Sequence, residues 1–187
     1  MKRLGVFLAT VLFCQTTFAD NLFGEFKRVP DTIERGFSVG ADFGLLFITG
    51  DTKATNPGFQ LSFNTGYDIT KYLSVIGIYT LGINEAPPPP FDNVLRGGVN
   101  TFLFNLVARG QLPMGRMYPF VEFGPGIIYS TPEFDPGKNK KLSFLMAAGI
   151  EYYTFLRHYS LYLKGSYHLV TLPIDALTFS GGLKYTF

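Results

Sequence analysis

The sequence predicts an all-β fold: eight antiparallel strands closed into an up-and-down barrel that spans a membrane. Three observations carry that expectation. Segments of about ten residues alternate apolar and polar side chains, the period of a strand with two different faces and the length of a tilted spanning strand. Hydrophobic residues make up 47% of the chain, with 11 tyrosines and 20 phenylalanines. Beyond residue 19, however, no apolar run reaches the roughly 20 residues that a spanning helix needs, and without such helices a membrane-spanning backbone is satisfied only in a closed barrel. Finally, Phe179, Leu183, Tyr185 and Phe187 share one phase of the last strand, while Ser180, Gly182 and Lys184 share the other.

The N-terminus reads as an export signal. Lys2 and Arg3 form a positive n-region, Leu4 to Phe13 a short apolar stretch, and Thr17-Phe18-Ala19 a small-residue cleavage site. Cleavage is expected after Ala19, giving a signal peptide over 1–19, a periplasmic leader over 20–34 and a barrel over 35–187. Phe13 precedes Cys14 where a lipoprotein signal needs a small residue, so no lipid anchor is expected. Cys14 leaves with the signal, which removes disulfide and thiolate chemistry. Removing Lys2 and Arg3 takes the formal charge from +2 to about zero, so bulk charge gives no reason to expect a nucleic-acid partner. No peptidoglycan-binding tail is expected after Phe187.

Each strand follows from its alternation. Phe37 to Phe47 sets Phe37, Val39, Ala41, Phe43, Leu45 and Phe47 against Ser38, Gly40, Asp42 and Gly44. Phe59 to Ile69 repeats the pattern, with Gln60, Ser62, Asn64, Gly66 and Asp68 in the polar phase. Tyr72 to Leu81 alternates less cleanly. Val99 to Gln111 sets Phe102, Phe104, Leu106 and Ala108 against Thr101, Asn105, Arg109 and Gln111. Phe120 to Ser130 sets Val121, Phe123, Ile127 and Tyr129 against Glu122, Gly124, Gly126 and Ser130. Leu142 to Tyr153, Tyr159 to Leu169 and Ala176 to Phe187 complete the set. Pro125 cannot donate to a ladder and predicts a bulge beside Gly124 and Gly126.

The connections alternate in length, a barrel habit. Residues 70–71, 112–117 and 154–158 are compact, whereas 49–57, 82–98 and 131–141 are longer; the fourth outer loop, 170–175, is short. With both termini in the periplasm the long set lies outside the cell. Tyr67, Tyr72, Tyr118, Tyr152, Tyr159 and Tyr185 cluster near the turns, where an aromatic girdle sits. A soluble barrel of the lipocalin kind would turn the same pattern inside out. Gly40, Gly44, Gly66, Gly124, Gly126, Gly149 and Gly182 all fall in the polar phase. They make a poor solvating surface but a good lining for a narrow interior, which favours the membrane orientation.

The inward phase carries Asp42, Glu122 and Glu151 against Arg109, Lys164 and Lys184. Arg109 and Glu122 flank the 112–117 turn about symmetrically, as do Glu151 and Lys164 around 154–158. Cross-strand partners stand about 5 Å apart at Cβ, so two ion pairs are expected, in one four-charge layer of the periplasmic half. Such a layer reads either as a gate that rearranges to open a pore or as a structural plug. An eight-stranded barrel is barely wide enough for its own side chains, which favours the plug. His168, Ser166 and Asp175 are the candidates for a lipid-modifying enzyme, but no Gly-x-Ser-x-Gly elbow is present. A histidine satisfied by neighbouring hydroxyls is the simpler expectation. No metal-site spacing appears, and no cofactor is expected.

In the second outer loop, Pro87 to Pro90 form a stiff segment able to present Phe91 to a partner. Lys138, Lys140 and Lys141 form a basic tip on the third loop, suited to lipopolysaccharide phosphates. Phe23 and Phe26 in the leader are candidate contacts below the membrane.

The stripe of Leu183, Tyr185 and Phe187 resembles the C-terminal signal of bacterial outer-membrane barrels, which the barrel-assembly machinery recognises. The chain from residue 20 onward resembles the small OmpA-like barrels of the Gram-negative outer membrane. The strings Gly66 to Val75, Gly149 to Ser160 and Leu183 to Phe187 are similar to the CglE-like outer-membrane proteins of adventurous gliding motility. That resemblance implies a non-enzymatic envelope component in contact with a motility machine and supplies no catalytic or ligand-binding residues. The expected function is therefore structural or protein-binding. A small gated pore is the alternative, and a lipid-modifying enzyme the third reading.

Overall fold

The structure is a computed structural model that describes residues 35–50, 57–85, 98–131, 140–154, 156, 158–171 and 174–187. The expected signal peptide and leader, the proline segment with Phe91, and Lys138 lie outside these residues. Eight strands follow in chain order: β1 (Phe37–Gly50), β2 (Gly58–Asp68), β3 (Leu73–Glu85), β4 (Gly98–Gln111), β5 (Met117–Thr131), β6 (Lys140–Tyr153), β7 (Tyr159–Val170) and β8 (Ile174–Thr186). Each pairs antiparallel with the next, and β8 returns to β1 to close the barrel. The closing seam runs unbroken from Ser38 opposite Thr186 to Gly50 opposite Ile174.

Alternation decides the two faces. Along β2 every even residue from Gly58 to Asp68 is buried and every odd one exposed. The large apolar residues point outward: Phe43, Phe59 and Leu163 are 74%, 72% and 71% exposed. A soluble barrel would bury such side chains; this one offers them to lipid. β3 shows why its pattern was weak in the sequence, because Ile76 and Ile78 point inward alongside Ser74 and Thr80. They form a buried apolar belt with Val107, Leu145 and Ala147.

The belt covers β3, β4 and β6 alone, while the inward face of β2 is polar or glycine along its whole length. At the end where β1 begins and β8 finishes, joined by the turns at 69–72, 112–116 and 154–158 and called here the turn end, the interior is charged. Towards the opposite loop end the buried inward residues mix hydroxyls, amides and His168, among them Gln60, Thr80, Thr101, Ser143 and Ser166, with the apolar Leu46, Leu103, Ile128 and Ala176. The β4–β5 turn is tight, with Met114 bridging to Met117. Gly115 takes a φ of 72° there, a left-handed conformation that favours glycine.

Two expectations need correction. Pro125 causes no bulge. The β4–β5 pairing skips only Leu106–Pro125 and Val107–Gly124 and resumes in the same register, while β5–β6 pairing is continuous through Pro125. No residue is inserted; the ladder loses the proton that Pro125 lacks. Gly124 lets the strands stay close, since a Cβ there would strike the Leu106 carbonyl. The second correction concerns Tyr118, which is buried on the inward face with Phe120 and Glu122 and so does not join the outer girdle. Tyr67, Tyr72 and Tyr159 do face outward.

Candidate functional site

Five strands bring one ionic network together at the turn end. Arg109 of β4 lies opposite Glu122 of β5, as expected. Its Nε donates to Glu122 Oε1 at 2.7 Å and its Nη2 to the same oxygen at 2.5 Å. Nη1 donates to Glu151 Oε2 of β6 at 2.8 Å. The other Glu151 oxygen accepts from Ser160 Oγ of β7 at 2.5 Å and meets Lys184 Nζ of β8 at 2.6 Å. Lys184 also donates to the Tyr153 hydroxyl at 3.2 Å. The Arg109 guanidinium sits 4.1 Å from the centre of the Phe120 ring, a cation–π contact strengthened by exclusion of water.

The expected Glu151–Lys164 pair does not form. The β6–β7 register places Glu151 opposite Tyr162 and Lys164 opposite Gly149. Lys164 instead meets Asp42 Oδ2 of β1 at 3.1 Å. The Tyr162 hydroxyl donates to that same oxygen at 2.8 Å and accepts from Asn64 Nδ2 at 2.7 Å. The four-charge layer is thus Arg109, Glu122, Glu151 and Lys184, with Lys164 and Asp42 as a second pair. Asp68 is a further buried carboxylate, accepting from Ser74 Oγ at 2.5 Å. It lies in the same phase as Asn64, and counting that phase to its end would have included it. The same rule would have placed Tyr153 and Tyr162 inside beside Glu151 and Lys164.

The enzyme candidates divide between two faces. Ser166 and His168 are buried inside, whereas Asp175 takes a hydrogen bond from the outward Tyr167 hydroxyl. The wall of the barrel separates them, so no triad assembles. The His168 Nδ1 atom has no protein partner, which corrects the expectation of a histidine fully satisfied by hydroxyls. Among the described residues no group of His, Cys, Asp and Glu could hold a metal ion.

The C-terminal stripe is built as expected. Leu183 and Phe187 are exposed, and the Tyr185 and Phe187 rings meet edge-on at 4.9 Å. Phe187 reaches the Phe37 ring across the closing seam at 5.6 Å. His158 stacks on Tyr185 at 5.5 Å, and its Nδ1 lies 2.8 Å from the Thr186 carbonyl. Of the basic tip, Lys141 is half-buried at the start of β6.

A family model described as outer membrane protein beta-barrel domain matches residues 5–187. Among solved structures, the Neisserial surface protein NspA superposes with a TM-score of 0.65 at 15% identity, over 81% of this chain and 97% of that one. OprG from Pseudomonas aeruginosa gives 0.58 at 13% identity, over 82% and 98%. Ail, the attachment invasion locus protein of Yersinia pestis, gives 0.53 at 13% identity, over 82% and 99%. At such identities the likeness is one of fold. No curated protein sequence matches the chain.

Proposed function

This chain belongs to the outer membrane protein β-barrel domain family, and we propose that it works as a sealed barrel, a structural or protein-binding component of the outer membrane. One observation supports the seal above others. The inward side chains leave almost no surface to a water-sized probe: Glu151 and Asn84 are 0% exposed, Asp42, Ser62, Leu103 and Val107 1%. A water-filled channel would wet such residues. In an eight-stranded barrel the side chains fill the interior, and here ion pairs, buried polar side chains and apolar side chains do so together.

Recordings on refolded protein in planar bilayers test the seal. The expected result is no steady conductance. Steady channels whose conductance Arg109→Ala alters would establish the gated-pore reading instead. The role is non-enzymatic on this reading, because Asp175 stands on the opposite face from Ser166 and His168.

The partners that fit are outer-membrane lipid and lipopolysaccharide, the barrel-assembly machinery acting on Leu183, Tyr185 and Phe187, and an envelope protein. The gliding-motility association rests on the resemblance of three strings alone. Photo-crosslinking from Phe23 or Phe26 tests it: capture of a motility protein supports the association, and recovery of bulk envelope proteins alone ends it.

A further inference from the structure

We propose that Arg35 is a strap across the turn-end mouth of the lumen, held there by Tyr118 and released by whatever draws residue 35 away. Arg35 stands two residues before β1, and its guanidinium donates a side-chain hydrogen bond to the Tyr118 hydroxyl near the start of β5. In the closed ring of eight, β5 is the strand opposite β1, four places away in either direction. The bond therefore crosses the opening and does not follow its rim. Two long side chains suffice for that span, because an eight-stranded barrel is only as wide as the side chains that fill it.

The backbone aims the strap. Gly36, between Arg35 and β1, takes a φ of 145°, a conformation that favours glycine, and its carbonyl accepts from the Asp68 amide at 3.0 Å. Beneath the strap, contacts run unbroken into the ionic network. The Tyr118 ring meets the Tyr153 ring at 4.8 Å, and the Tyr153 hydroxyl accepts from Lys184, which meets Glu151. Arg35 is exposed, whereas Tyr118 and Tyr153 are only 3% and 4% exposed. An exposed side chain over two buried rings makes a lid with one face in water, and lifting it uncovers those two tyrosines first.

The strap extends the sealed-barrel reading by giving the seal one removable part. Its test is nitration by peroxynitrite of the folded protein, purified from the outer membrane in detergent micelles and read tyrosine by tyrosine in mass spectrometry. The expected result is labelling of the exposed Tyr159 and protection of the buried Tyr118, Tyr153 and Tyr162. In Arg35→Ala, labelling of Tyr118 and Tyr153 should rise about tenfold, the order that loss of one hydrogen bond gives. Tyr162, tied to Asp42 and Asn64, should stay protected. If Tyr162 is labelled too, the barrel itself has loosened, and Tyr118→Phe decides. That variant removes only the acceptor, so Tyr153 should become reactive while Tyr162 does not, and protection of Tyr153 there overturns the proposal. Tyr118 and Tyr153 unchanged in Arg35→Ala, or already reactive in the parent, overturns it as well. Steady conductance in bilayers ends the sealed reading instead and leaves the nitration of Tyr118 to judge the strap.

Discussion

Arg109 holds two carboxylates from two different strands, Glu122 and Glu151. Its own side chain is 4% exposed and both carboxylates 0%. Removing it leaves Glu122 uncompensated in a dry interior and Glu151 to Lys184 alone. Arg109→Met should therefore cost about 3–5 kcal/mol, the range for breaking a buried pair from one side, read as a lower urea-unfolding midpoint in vesicles. Glu122→Gln in the Arg109→Met background should recover part of the loss, since one uncompensated charge is gone. Tyr162→Phe deletes a hydrogen bond to Asp42 and another from Asn64, and about 1–3 kcal/mol should go with them. At this scale the sequence showed facing but not partners. Counting outwards from 112–117 puts Arg109 opposite Phe120, whereas the strands pair it two residues further on, with Glu122. Glu151 and Lys164 stand three and six residues from 154–158, so the hairpin does not pair them, and Lys164 meets Asp42 instead. Alternation fixes which face a side chain takes, and register is a separate property.

Strand β5 shows how an element absorbs a residue that should break it. Pro125 removes one ladder proton, and Gly124 and Gly126 on either side let the β4 backbone come close enough to keep the register. A Cβ at Gly124 would meet the Leu106 carbonyl and lie 2.7 Å from Val107 Cα. Backbone on both sides cannot yield cheaply, so Gly124→Ala should destabilise by at least the roughly 1–3 kcal/mol of an overpacked core. Gly165 is the contrasting case. It faces lipid, and a Cβ there would meet the Phe179 ring at 3.4 Å and the Thr178 carbonyl at an ordinary 3.9 Å. Gly165→Ala should stay within about 0.5 kcal/mol of the parent, as surface substitutions do, and unfolding of both variants side by side checks the pair. Hydrogen exchange should find Leu106 and Val107 opening before the continuous β1–β8 seam, because their ladder lacks two pairings. Strand existence and facing were legible from alternation in all elements but β3. There Ile76 and Ile78 make both faces apolar, and a two-sided apolar strand has no phase to read. The bulge expected at Pro125 failed for a different reason: proline and a missing proton are visible in sequence, but the accommodation by flanking glycines depends on the neighbouring strand.

The whole molecule is a barrel with lipid-facing aromatics outside and, inside, a charged layer, an apolar belt and a hydroxyl-rich zone. This architecture and its outer-membrane location were legible because they depend on period, composition and the last strand. What it touches was not, since segments outside the strands carry no periodic signal. The interior ion pairs have a consequence for how the barrel comes into being. Asp42 and Lys164 belong to the first and seventh strands, and Glu151 and Lys184 to the sixth and eighth. No single hairpin contains either pair, so no hairpin can neutralise these charges alone. A sheet still open between its first and last strands would carry Asp42 and Lys164 unmatched beside hydrocarbon. Joining the two edges and cancelling those charges are then one event, which leaves a half-zipped intermediate no comfortable place to wait.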